Sequence, residues 1–132
     1  MDKNQYVVLK SVQGTFDAVV AKVRHVLMQQ GFGVLTEIDL SGTFKSKLNV
    51  DWPRTIILGA CNPPVARRAM SADHDVAVFL PCNVVVREIG HGAVEVAAMN
   101  PEIIGYVIQN DRLTEVVTEV LAKIRTALDQ VG

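Results

Sequence analysis

Arg54-Thr55-Ile56-Ile57-Leu58-Gly59-Ala60-Cys61 followed by Asn62-Pro63-Pro64 is the stretch whose reading decides the fold. Its first part is rich in Ile and Leu and reads as a strand. The three residues after it are a helix start, an asparagine cap with proline at the first helical position, where a missing N–H costs nothing. The helix they open carries Val65, Ala66, Ala69 and Met70 inward and Arg67 and Arg68 outward, ending near Ala72-Asp73-His74.

Working back from this stretch, residues 32–40 alternate. Phe32, Val34, Thr36, Ile38 and Leu40 share one side, which reads as the buried one. Gly33, Leu35, Glu37 and Asp39 share a more polar side. Asp39 or Ser41 can cap a short helix through Phe44 and Leu48, and residues 49–53 form a loop whose Trp52 caps the core edge or, alternatively, lines a pocket or an interface. Earlier still, Phe16, Val19, Val20, Val23 and Leu27 recur at helical spacing over 15–30. Thr15 suits the start of that helix and Gly31 the left-handed position past its end, with His25 opposite the apolar stripe. A short β-branched run at 5–10 is the first strand.

Working forward, strands at 82–88 and 93–99 are joined by Gly90-His91-Gly92, with His91 at an exposed tip. Asn100-Pro101 breaks the pattern, and no element is assigned through Ile103, Ile104 and Tyr106. A final helix over 111–130 carries Leu113, Val116, Val117, Val120, Leu121, Ile124 and Leu128 on one stripe. Asn110 or Asp111 caps it, and Glu119 and Lys123 form a favourable i,i+4 pair. Several strands with only two long helices predict an α+β domain: a largely antiparallel sheet with both long helices on one face. No repeat or linker interrupts residues 1–132, so one domain is expected.

The 132 residues are 49% hydrophobic and 20% charged, a composition that excludes a disordered chain. A net charge of −1 argues against a nucleic-acid partner, since Lys22/Arg24, Lys45/Lys47 and Arg67/Arg68 read as solvated faces and form no basic stripe. No apolar run approaches the ~20 residues that span a bilayer. The longest, Val76 to Val86, is interrupted by Pro81 and Asn83. No secretory leader is recognisable, and two cysteines make no disulfide framework, so a soluble, reduced, cytoplasmic protein is expected. The mean hydropathy of +0.25 is high for a small soluble chain and predicts self-association as a homodimer.

Glycine-rich phosphate loops, nucleophile elbows and zinc-binding spacings are absent, and His25, His74 and His91 lie in unrelated elements. What remains is Gly59-Ala60-Cys61-Asn62-Pro63-Pro64 and Pro81-Cys82-Asn83. Each cysteine precedes an asparagine at a strand end. Antiparallel pairing of the two strands makes the thiols neighbours, whereas parallel pairing separates them by a strand length of roughly 20 Å. Unpaired N–H groups at the following helix start favour a thiolate at Cys61. Two adjacent thiols suit a small ligand, a soft metal such as Zn or Cu(I), or a dithiol–disulfide couple. Cys61, Asn62, Cys82, Asn83 and Glu37 are therefore the candidate ligand-binding residues, with Cys61 and Cys82 as metal ligands. The alternative is a non-catalytic interaction or accessory domain in which the cysteines pack, Asn62 caps a helix and Asn83 ties down a loop.

Gly31-Phe32-Gly33-Val34-Leu35-Thr36-Glu37-Ile38-Asp39, Ile57-Leu58-Gly59-Ala60-Cys61-Asn62-Pro63 and Leu80-Pro81-Cys82-Asn83-Val84-Val85-Val86 together resemble the domain-of-unknown-function family 302, over nearly the whole chain. The resemblance implies a bacterial or archaeal domain with a strand-helix-four-strand-helix core, similar to the fold of TATA-box-binding protein. It also implies a homodimer, and it assigns no activity.

Overall fold

A computed structural model describes residues 1–132. Five strands form one antiparallel sheet: β1 (Val7–Gln13), β2 (Gly33–Asp39), β3 (Thr55–Cys61), β4 (Cys82–Gly90) and β5 (Ala93–Met99), in the order β1-β5-β4-β3-β2. The helices are α1 (Phe16–Gln29), α2 (Leu40–Leu48), α3 (Pro63–Ala72), α4 (Glu102–Val107) and α5 (Thr114–Asp129). The strand-helix-four-strand-helix core is present, with α2, α3 and α4 inserted between its elements.

Local chemistry explains most boundaries. The Thr15 hydroxyl accepts from Ala18 N at 3.2 Å and starts α1. Gly31, at φ +85°, ends it, while Gly31 N and Phe32 N donate back to Met28 O and Leu27 O. The Asp39 carboxylate accepts from Gly42 N at 3.0 Å and starts α2. That bond and a second from Ser41 hold the Asp39 carboxyl below its ordinary range. Gly90, His91 and Gly92 all adopt positive φ, which is how two strands reverse over so few residues. Asn100, fully buried, donates to Asn4 O at 2.7 Å and accepts from Glu102 N at 2.9 Å. The unassigned segment is thereby the short α4, held against the N-terminal turn.

Residues paired directly across an antiparallel sheet share a face. Val8, Ala98, Val84, Leu58 and Glu37 form one such rung across all five strands. Its central members meet α1 and α5 in a cluster of 25 buried residues that includes Val23, Leu27, Val120 and Ile124. Both long helices thus cover the same side of the sheet, as the pattern predicts. α2 contributes nothing to this cluster; its Phe44 stacks edge-on against Trp52, at 5.3 Å between ring centres.

Three sequence expectations are corrected. In β2 the register shifts between Val34 and Thr36, leaving Leu35 as an extra residue. Phe32 and Val34 pack inward as expected, but beyond the bulge Glu37 and Asp39 face the helix side while Thr36 and Ile38 face away. β2 is an edge strand, so Glu37 reaches solvent even on that side and pairs with Arg24 of α1. Leu113 belongs to a 3-10 turn ahead of α5, which Asn110 caps through Arg112 N. Glu119 pairs with Arg68 of α3, at 3.0 and 3.2 Å, in place of Lys123, because α3 packs alongside α5 and brings the fork of a guanidinium within reach.

Candidate functional site

β3 and β4 are antiparallel neighbours, so the end of one lies beside the start of the other. Ala60 is paired with Cys82, and Cys61 is the next residue along β3. Both cysteines are free thiols. They border one cavity of about 50 Å³, closed by Val65 and Ala69 of α3, Val116 and Val120 of α5, and Phe32. Fourteen of its sixteen lining residues are hydrophobic. Cys82 is 7% exposed, and burial, with a smaller contribution from the charge of Cys61, pushes its thiol up to about 11. It is therefore a protonated, uncharged wall of the cavity at neutral pH.

Cys61 is half-buried and occupies a boundary. Besides the inner cavity it borders an open surface groove with Pro63, Arg67, Met70 and His74. Its neighbour Asn62 lines the inner cavity but does not cap α3 with its side chain. Instead the Asn62 amide donates to Gln30 O at 3.2 Å, tying the end of α1 to the end of β3. The start of α3 is also poor in donors. Pro63 and Pro64 have no N–H, and Ala66 N is bonded to Asn62 O at 2.8 Å, leaving Val65 as the one free donor of the first turn. The first turn of α3 therefore offers a single backbone N–H beside Cys61, fewer than a helix start ordinarily presents.

Of the five candidate residues, the fold gathers Cys61, Asn62 and Cys82 around the cavity. Asn83 is exposed on the opposite side of the sheet, paired with Gly59. Glu37 lies on the β2 edge, opposite Leu58 and bound to Arg24, away from the thiols. No group of three or more His, Cys, Asp or Glu side chains is assembled anywhere in the structure. Sequence reasoning missed the other walls. Val65/Ala69 and Val116/Val120 are both i,i+4 pairs, and that spacing marks a core stripe without saying that two stripes leave a gap between them.

One glycine shapes this end of the sheet. A Cβ on Gly59 would lie 2.1 Å from the Thr36 hydroxyl oxygen and 2.7 Å from the Pro81 ring. Pro81, which follows a cis peptide, therefore sits directly over Gly59 and leads the chain into Cys82.

A family model described as a domain of unknown function, DUF302, matches residues 8–131. A crystal structure of an uncharacterized conserved DUF302 protein from Bacillus stearothermophilus has the same fold, with a TM-score of 0.88 and 24% identity over 96% of this chain and 98% of that one. No curated protein matches the chain.

Proposed function

This chain belongs to the DUF302 family, and we propose that it serves as a binding domain for a small, uncharged, largely apolar ligand held between α3, α5 and the cysteine end of the sheet. The observation that carries this reading is that Cys61 and Cys82 border one cavity whose remaining walls are almost wholly hydrophobic. An ion in such surroundings would need compensating charges that the walls lack. A neutral occupant loses little, and two thiols offer polarizable contact and weak S–H donors. The volume of about 50 Å³ sets the occupant at a few heavy atoms. Cys61, between cavity and groove, stands at the entry.

A second reading is a soft metal ion between the two sulfurs. It is favoured by the convergence of Cys61 and Cys82, and the lack of a third donor points to Cu(I) over Zn(II), which takes four ligands. Metal binding would have to remove the Cys82 proton against burial, so it would strengthen with pH. A dithiol–disulfide couple uses the same pair.

Xenon is a suitable probe for an apolar cavity of this size. Methyl NMR under xenon pressure is expected to show saturable shifts at Val65, Val116 and Val120, which Ala69→Val removes by filling the space. Absence of saturable shifts overturns the ligand reading. One Cu(I) per chain in native mass spectra, lost in both Cys61→Ser and Cys82→Ser, would establish the metal reading in its place. If neither probe binds and both serine variants are merely less stable, the cysteines pack and the domain is an accessory or interaction module.

A further inference from the structure

The surface groove beside Cys61 has a chemistry of its own. Pro63, Arg67, Met70 and Ser71 recur at three- and four-residue spacing, so they line it from one face of α3, and His74 follows just past the helix end. No carboxylate is among the groove's lining residues. His74 is open to solvent, with its Nε2 3.3 Å from the Asp75 carboxylate. Arg68 is bound to Glu119 and Arg112 to the Ser71 carbonyl, whereas the Arg67 guanidinium enters no ion pair or hydrogen bond. Arg67 is thus the uncommitted charge of the groove. A second thiol stands behind the first. Cys82 is 7% exposed, makes no hydrogen bond and lines the cavity that Cys61 also borders.

We propose that Cys61 is a site of S-thiolation, where a low-molecular-weight disulfide bearing a carboxylate forms a mixed disulfide and lays its acidic half against Arg67. The Cys61 sulfur, as thiolate, attacks one sulfur of that disulfide. An S–S bond forms to Cys61 and the original S–S bond breaks. Its electron pair leaves on the departing half, which takes the proton that Cys61 gave up. Cys61 is oxidised and the departing half is reduced. Three features of the site support this step. Cys61 is the thiol with access, since it borders the open groove and Cys82 does not. The free charge of the groove is cationic, and a guanidinium pairs strongly with a carboxylate, so an acidic half is selected over a basic one. The adduct also persists. The nearby sulfur that could displace it belongs to Cys82, which burial keeps protonated at neutral pH, and the thiolate is the attacking form. This site shares Cys61 with the ligand reading without resting on it, because the attached group lies in the groove and not in the cavity.

Mass spectrometry of the full chain incubated with oxidised glutathione tests it. One glutathione unit is expected on the peptide that contains Cys61, removed by dithiothreitol, retained in Cys82→Ala and lost in Cys61→Ser. Peptide mapping of the unsubstituted chain locates the adduct even if Cys61→Ser fails to fold. The rate with oxidised glutathione is then divided by the rate with cystamine, whose halves are cationic, since the ratio cancels any change in the thiol itself. Arg67→Gln is expected to lower this ratio about 3- to 5-fold at low ionic strength, the size of an exposed ion pair, and Arg67→Lys to keep most of it. No adduct, an adduct on Cys82, an internal Cys61–Cys82 disulfide in its place, or a ratio unmoved by Arg67→Gln overturns the inference. Xenon binding reports on the cavity separately, so the failure of one reading is told apart from the failure of the other.

Discussion

Two rungs cross the sheet one residue apart. The inner one, Val8-Ala98-Val84-Leu58-Glu37, faces the helices; the outer one, Leu9-Ala97-Val85-Ile57-Ile38, faces away. On the inner rung Leu58, Val84 and Ala98 are at most 1% exposed, whereas Leu9 and Ile38 on the outer rung exceed a third. Composition hardly separates the two. The one charged residue among the ten, Glu37, lies on the covered side, at an edge where burial has run out. Apolarity along these strands therefore does not mark the core face. Coverage by α1 and α5 does.

The sharpest way to break that contrast is to truncate adjacent residues. Leu58→Ala removes a side chain packed on all sides and is expected to cost about 3 to 4 kcal/mol in urea unfolding, as filled cores do. Ile57→Ala, measured at low concentration, is expected to cost less, about 1 to 2 kcal/mol, because Ile57 is only partly buried and lies on the side of the sheet without the long helices. Equal losses would mean that both sides of the sheet are packed alike.

A somewhat smaller effect probes the covered side at its cysteine end. The Cys82 thiol, ordinarily at 9.0, is raised to about 11 in the folded chain. Below pH 9 both folded and unfolded chains hold the proton. Above it the unfolded chain releases the proton first, so stability falls as pH rises toward 11. The gap of about two pH units corresponds to about 3 kcal/mol. Urea unfolding from pH 8 to 11, compared with Cys82→Ala, is expected to show this slope only in the chain that keeps the thiol. Parallel profiles would place Cys82 in contact with water.

The smallest effect belongs to the edge. Glu37→Gln breaks the exposed pair with Arg24 and is expected to change stability by less than about 0.5 kcal/mol. It is also expected to leave the rate at which Cys61 reacts with a thiol reagent unchanged, since Glu37 is remote from the cavity. A marked change in that rate would tie Glu37 to the cysteine end after all.

Much of this was legible in the chain, for reasons that differ by element. The caps at Thr15 and Asp39, the turn at Gly31 and the hairpin at Gly90-His91-Gly92 are written in residues within a few positions of the feature they control. The neighbouring placement of Cys61 and Cys82 followed once the strands were taken as antiparallel. The sequence places Asn62 ahead of Pro63, where an asparagine caps, but does not show the carbonyl of Gln30 that takes its side chain instead. The i,i+4 spacing offers Glu119 the local partner Lys123, and nothing in the sequence links it to Arg68, fifty-one residues away.

What the sequence by itself determined is the five strands, the helices other than α4, the family and the antiparallel sheet, since periodicity, caps and turn residues act over one or two turns of chain. Only the tertiary structure decided which way β2 faces, because the extra residue at Leu35 reverses the alternation after Val34 and its register is set by β3. It also decided that the α3 and α5 stripes meet with a gap beside two thiols, and that an apolar rung is left on the open side. These are sums of contacts between residues far apart in sequence, and a sidedness fixed by such contacts has no local pattern to announce it.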